Sequence, residues 1–326
     1  MSKSPKNELS SKPKTSNLED YFKPFRNNIV GINQEFKSPY GNQKIIYADW
    51  TASGRLYKPI EDKILSKIGP YVANTHTETS ITGSTMTLAY HEARNIIKRH
   101  VNASKDDVLI TVGTGMTGAI NKFQRILGLK VSENLKDYTQ IPDALKPIIF
   151  VSHMEHHSNQ TSWLETIAKV EVIPCDSDGL ICLKSFKDLL EQYQDHPIKI
   201  AAITGCSNVT GIRTEYHQIA RIIHQNNGLC FVDFACSAPY VKIDMHPEHE
   251  DDYLDAITFS PHKFLGGPGT SGVLIFNKKL YKNLVPDNPG GGTVSYTNPW
   301  GNHDYIDDIE TREDGGTPGF LQAIKI

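Results

Sequence analysis

The chain has 326 residues, 38% hydrophobic and 22% charged, enough to bury a core in one large domain with a smaller partner or in two medium domains. A formal net charge of −3 leaves no basic footprint for nucleic acid or an anionic membrane, and no apolar run approaches the roughly 20 residues of a membrane helix. Five cysteines (Cys175, Cys182, Cys206, Cys230, Cys236) without CxxC spacing argue against a disulfide framework and a structural zinc site, and predict a reducing, cytoplasmic setting.

Residues 1–43 open with MSKSPKNELSSKPK, weakly basic and without the apolar core of a signal peptide; they are expected to form a poorly ordered tail. A large α/β domain is expected over 44–285. Within it, 59–72 reads as a helix that starts on proline and carries Ile60, Ile64, Leu65 and Ile68 on one face. Seven short apolar runs, over 108–112, 148–151, 170–173, 200–204, 229–234, 256–259 and 272–276, read as strands covered on both faces. Helical spacing fills several intervals, as in 214–226, where Ile219 and Ile223 fall one turn apart. The polar stretch 130–147 reads as a surface excursion. This alternation predicts a mostly parallel central sheet with helices on both faces. Residues 286–319, rich in Gly, Pro, Asn and Asp, read as functional loops. The last unit, 286–326, is expected to hold active-site and interface loops and the start of a small C-terminal domain that is largely missing.

Five features that carry chemistry each follow a different predicted strand. Lys263, in Ser260-Pro261-His262-Lys263 and followed by glycines, lies past a strand's carboxyl end, where open α/β sheets bind ligands; a solvated turn lysine is the ordinary alternative. Asp233 ends an apolar strand, where a carboxylate is costly without a cation; a pyridinium nitrogen would serve, and so would a turn cap. Thr111 to Ala119 opens a helix with small residues, a natural phosphate cradle. Gly113, Gly115 and Gly118 also satisfy G-x-G-x-x-G, but the acidic residue a dinucleotide site wants falls on Asp137, in the polar excursion, so a single phosphate is preferred. His153, His156 and His157 lack metal-ligand spacing, and an imidazole stacked on an aromatic cofactor suits them better. Asn208, in Ser207-Asn208-Val209-Thr210-Gly211, sits where it could donate to a ring oxygen.

From about Ile45 to Pro318 the chain resembles the class V aminotransferase family of fold-type I pyridoxal-phosphate enzymes, in particular the cysteine desulfurase and selenocysteine lyase branch. The motifs that carry the likeness are VGTGMTGAIN, SHMEHHSN, SNVTG, VDFA and SPHK. The resemblance implies pyridoxal 5'-phosphate as cofactor, with Thr114, Gly115 and Met116 under its phosphate. It implies His156 stacked on the ring, Asn208 near the ring hydroxyl, Asp233 at the pyridine nitrogen and Lys263 as the Schiff-base lysine. Ser260 and His262 would reach the phosphate, and Thr293, after Gly290-Gly291-Gly292, would reach that of a neighbouring subunit in a homodimer. Tyr47 to Ser53 and Asn74-Thr75-His76 resemble the family's substrate-side loops, and Arg312 with Gly315 to Pro318 its Gly-Thr-Pro stretch. Two positions depart from the desulfurase pattern: Cys236 stands where those enzymes carry glutamine, and Asp314 where they carry glutamate.

The expected function is a pyridoxal-phosphate enzyme acting on a small amino acid, with Lys263, His156 and Asp233 as catalytic residues. A second reading is a truncated, catalytically silent scaffold that binds the cofactor or a partner, and a third is a nucleotide-binding protein using the Gly113, Gly115, Gly118 loop.

Overall fold

The structure, a computed structural model, describes residues 17–75, 77 and 79–326. It corrects the expected tail for residues 17–43; residues 1–16 of that tail lie outside the described residues. Helix α1 (Leu18–Asn27) forms because the Asn17 side chain caps it, accepting from the Glu19 amide at 3.0 Å, while Glu19 pairs with Arg26 and Tyr21, Phe22 and Phe25 cluster along it. A hairpin follows, β1 (Glu35–Ser38) and β2 (Gly41–Lys44), turning at Gly41 with φ of +94°.

The predicted helix over 59–72 is broken into three pieces. Helix α2 (Lys58–Lys63) passes into a π turn over Ile64–Ile68 and then a 3-10 turn over Gly69–Tyr71. The wider π turn shifts the register, and Leu65, expected on the apolar face, is 79% exposed. Helix α3 (Ile81–His100) precedes the sheet.

All seven predicted strands form, each end within one residue of its expected place: β3 (Asp107–Val112), β4 (Ile148–Ser152), β5 (Lys169–Ile173), β6 (Lys199–Thr204), β7 (Leu229–Asp233), β8 (Ala256–Phe259) and β9 (Gly272–Asn277). They build one sheet in the order β3-β9-β8-β7-β6-β4-β5. Only β9 runs against the rest, antiparallel to both β3 and β8. The other six therefore bring their carboxyl ends to one edge.

Alternate residues feed two cores. Leu109, Phe150, Ile203 and Val232 pack with α3, α6 (Leu183–Gln192) and α7 (Tyr216–His224) on one face. Ile110, Val151, Ala202 and Phe231 pack with α4 (Gly115–Ile126) and α5 (His157–Leu164) on the other. Phe123 of α4 anchors that second core, its ring 4.9 Å from Phe231 and 5.0 Å from Phe276. Truncating so buried a ring to alanine costs about 3–5 kcal/mol.

The expected excursion over 130–147 carries only 3-10 turns at Glu133–Tyr138 and Asp143–Leu145. Beyond the sheet lie a second hairpin, β10 (Val294–Thr297) and β11 (His303–Tyr305), and two short helices, α8 (Ile309–Arg312) and α9 (Phe320–Ile324). Buried ion pairs fasten this segment to the sheet domain. Lys122 meets Glu313 at 2.7 Å and Asp287 at 3.5 Å, while Arg94 meets Asp314 at 2.8 Å and Glu310 at 3.1 Å. Glu310 also accepts the Leu109 amide of β3 at 2.7 Å. Charges buried this deeply persist only when matched.

Candidate active site

Five loops leave the shared carboxyl edge and surround a cleft of about 490 Å³, a size suited to a small cofactor and substrate. Its walls include Thr114, Gly115 and Met116 after β3, His156 after β4, Cys206 and Asn208 after β6, Asp233 and Cys236 from β7, and Ser260, His262 and Lys263 after β8. Ten of the eleven residues selected from the sequence thus converge. Thr293 does not: it is fully buried, outside the cleft, and its hydroxyl donates to the Gly290 carbonyl.

The loop after β3 turns at Gly115, whose φ of +60° disfavours a side chain; a Cβ there would sit 3.1 Å from Ser260 Oγ and 3.5 Å from His262 Cδ2. Two separate segments, the loop after β3 and the turn after β8, therefore meet around a small hollow at the start of α4, where the helix N-terminus favours an anion. The Met116 amide donates to Ser260 Oγ at 2.8 Å, tying this loop to the turn that carries Lys263. That turn, Pro261–Lys263, is backed by the 47–54 stretch: the Gly54 amide donates to the His262 carbonyl at 2.9 Å, and a Cβ on Gly54 would lie 1.9 Å from the Phe264 carbonyl oxygen. This stretch also sends Asp49, Thr51 and Ala52 into the cleft. His76 lies outside the described residues.

Asp233 is buried, and its Oδ1 accepts the Ala235 amide at 2.7 Å. No cation pairs with it among the described residues. Burial pushes its carboxyl up to about 6, against the pull of the Ala235 amide and the Lys263 charge. A buried carboxylate facing a cleft with no cation in contact suits a protonated ring nitrogen, and the hollow at Gly115 suits a phosphate. The residues present fit pyridoxal phosphate.

The three histidines separate by role. His153 turns away, its Nε2 paired with the Gly179 carbonyl at 3.1 Å. His156 caps α5, its Nδ1 accepting the Ser158 amide at 3.1 Å, and its ring stands 4.0 Å from that of His157. Burial, then His157 and Lys263, hold the His156 pKa below the ordinary value, so a neutral imidazole faces the cleft. Asn208 is exposed on a turn built by Ser207, whose Oγ accepts the Val209 and Thr210 amides at 3.3 and 3.2 Å.

Two residues were overlooked in the sequence. Glu155 is half-buried, its Oε1 accepting the Ser152 hydroxyl at 2.5 Å and the Thr204 amide at 2.8 Å, its Oε2 accepting Asn159 Nδ2 at 2.7 Å. It joins the ends of β4 and β6, and burial pushes its carboxyl up to about 7. The spacing Ser152-x-x-Glu155 is that of a capping box and was the available signal. Cys206 was only counted among the cysteines, yet it lines the cleft beside Cys236, whose thiol donates to the Cys206 carbonyl at 3.0 Å.

A family model described as aminotransferase class-V matches residues 46–326. The chain belongs to this family. Relatives in it include a probable cysteine desulfurase of Staphylococcus epidermidis, 30% identical over 292 residues that cover 87% of this chain and 64% of that protein. Another, from Staphylococcus aureus, is 29% identical over 291 residues, covering 86% and 64%. The fold matches an apo cysteine desulfurase structure from Thermococcus onnurineus NA1, with a TM-score of 0.70 and 23% identity over 93% of this chain and 68% of that one. It also matches a cysteine desulfurase from Escherichia coli, with a TM-score of 0.62 and 24% identity over 86% and 65%. The chain spans about 64% of the length of the curated relatives. No helix among the described residues is long and apolar enough to cross a membrane.

Proposed function

We propose that this family member binds pyridoxal 5'-phosphate in the cleft and acts on a small amino acid in the manner of a cysteine desulfurase. The observation that carries the reading is Asp233, a buried carboxylate with no cation in contact among the described residues, in the same cleft as Lys263. Bound there, the cofactor supplies an electron sink for charge left at the substrate's α-carbon. Asp233 would hold a proton at the ring nitrogen. Thr114, Gly115, Met116, Ser260 and His262 would receive the phosphate in the hollow at the start of α4. His156 would lay its neutral ring against the cofactor face, and Asn208 would approach the ring hydroxyl.

Lys263 would hold the cofactor covalently through its amine. The same amine, in the cleft with the substrate, would serve as general base for the proton at its α-carbon. Cys236 stands where desulfurases carry glutamine; burial first and then Cys206 push its thiol up to about 12, so toward the cofactor it would act as a neutral donor. In the homodimer that the resemblance implies, Thr293 would have to turn outward to reach the neighbouring subunit's site, since its side chain is fully buried.

The test is to purify the chain with pyridoxal phosphate, record its visible absorption before and after borohydride, and map the modified peptide. A yellow protein with the label fixed on Lys263, and none in Lys263→Ala, supports the assignment. A colourless protein, or label spread over surface lysines, overturns it.

A further inference from the structure

Two of the five cysteines, Cys206 and Cys236, line the same cleft wall. β6 and β7 are parallel neighbours with Thr204 and Asp233 as Cα partners, so Cys206 and Cys236, two and three residues further on, leave adjacent strands side by side. The Cys236 thiol reaches the Cys206 carbonyl at 3.0 Å, and Cys206 lies close enough to help raise the Cys236 pKa. Both side chains are half-buried and both line the cleft, which admits a small oxidant.

We propose that Cys206 and Cys236 are a site of reversible disulfide modification on the wall of the cleft. With a hydroperoxide as oxidant, the Cys206 sulfur attacks the peroxide oxygen. The O–O bond breaks, an alcohol or water leaves, and Cys206 becomes a sulfenic acid. The Cys236 sulfur then displaces the hydroxyl: the S–S bond forms, the S–O bond breaks, and the Cys236 proton leaves with hydroxide as water. Two thiols lose two electrons and two protons in all, and the peroxide takes up both. Cys236 is the resolving partner because its sulfur lies against the Cys206 backbone, so that its attack is effectively intramolecular. In a reducing compartment a disulfide of this kind is a transient, redox-sensing one.

The bond would remove the Cys236 hydrogen bond to the Cys206 carbonyl and pull on the segment whose Ala235 amide holds Asp233. It would also clamp the turn that bears Asn208. Oxidation is therefore expected to weaken binding at the cleft. The crosslink itself does not depend on which cofactor binds; its effect on pyridoxal phosphate rests on the function proposed above.

The experiment is to treat the purified chain with hydrogen peroxide, block free thiols, digest with trypsin without reduction and identify linked peptides. The expected result joins the peptide bearing Cys206 to the one bearing Cys230 and Cys236, with fragmentation placing the bond on Cys236 and dithiothreitol releasing it. Cys206→Ser and Cys236→Ser should each abolish the link. If both thiols remain blockable while Cys175 or Cys182 oxidises, or if Cys206 passes on to sulfinic acid unlinked, the proposal fails. Pyridoxal phosphate absorbance should fall in oxidised wild type and return on reduction, with no fall in Cys206→Ser; an equal fall in both proteins would overturn the link to the cleft.

Discussion

Ser260 accepts the Met116 amide at 2.8 Å across a sequence separation of 144 residues, so the turn bearing Lys263 and the start of α4 are set by one buried hydrogen bond. Replacing Ser260 with alanine leaves a buried amide without that acceptor and should cost about 1–3 kcal/mol. The same variant should bind pyridoxal phosphate more weakly than wild type. Urea unfolding and a cofactor titration check both, and unchanged affinity would remove Ser260 from the anion hollow.

Glu155→Gln tests the brace between β4 and β6. The amide group of a glutamine would face the Asn159 Nδ2 donor, and Asn159 cannot flip freely because its Oδ1 accepts from Trp163 Nε1 at 3.1 Å. One buried donor is left unmatched, for an expected loss of about 1–3 kcal/mol. Chemical denaturation should show it, and a variant as stable as wild type would mean that Glu155 already carries a proton there.

Asp233→Asn should reveal a pH-dependent term in the chain without cofactor. Its carboxyl is pushed up to about 6 by burial, so the folded state binds that proton more tightly than the unfolded chain. The resulting stability is fully present below the unfolded value near 4 and is lost as pH rises through about 6. Wild type should therefore lose about 3 kcal/mol relative to the variant across that window. Denaturation midpoints of both proteins along a pH series measure it. A difference that stays flat with pH would show that the carboxylate is well solvated.

Lys122→Met removes the cation between Glu313 and Asp287. Two buried carboxylates lose a partner, though Asp287 keeps Arg125 at 2.7 Å and Glu313 keeps the Tyr281 hydroxyl at 2.7 Å. The expected cost is about 3–5 kcal/mol, read from thermal or urea unfolding. A loss under 1 kcal/mol would mean that water reaches the pair.

The sheet was legible because its strands are short, continuous apolar runs, and side chains covered on both faces have no polar alternation to blur them. The site was legible because ten of its residues sit at the carboxyl ends of those runs or in the loops that follow them. Strand direction was not: nothing in the run over 272–276 marks β9 as the antiparallel member, since direction depends on the path of the connecting loop. The structured N-terminal segment was hidden by its polar composition, although Asn17 and the aromatic residues of α1 supply a cap and a cluster. Leu65 was misplaced because helical spacing assumes an unbroken 3.6-residue turn, which the π turn interrupts. The contact between Cys206 and Cys236 arises only when β6 and β7 lie side by side, a fact of tertiary pairing that no local pattern contains.

The placement of β3 also governs the order in which the protein can be made. Its partner in the sheet is β9, with Asp107 opposite Asn277, so the earliest strand of the sheet must wait for the latest. A nascent chain emerging from the ribosome exposes the apolar β3 run while some 160 further residues are still to come, a long-range closure that is slow and prone to aggregation. The loop bearing Thr114 and Gly115 gains its place beside Ser260 only at that last step. Binding at the cleft thus reports on completed synthesis of the whole sheet, and a ribosome-stalled chain released before Gly272 should be unable to assemble the anion hollow.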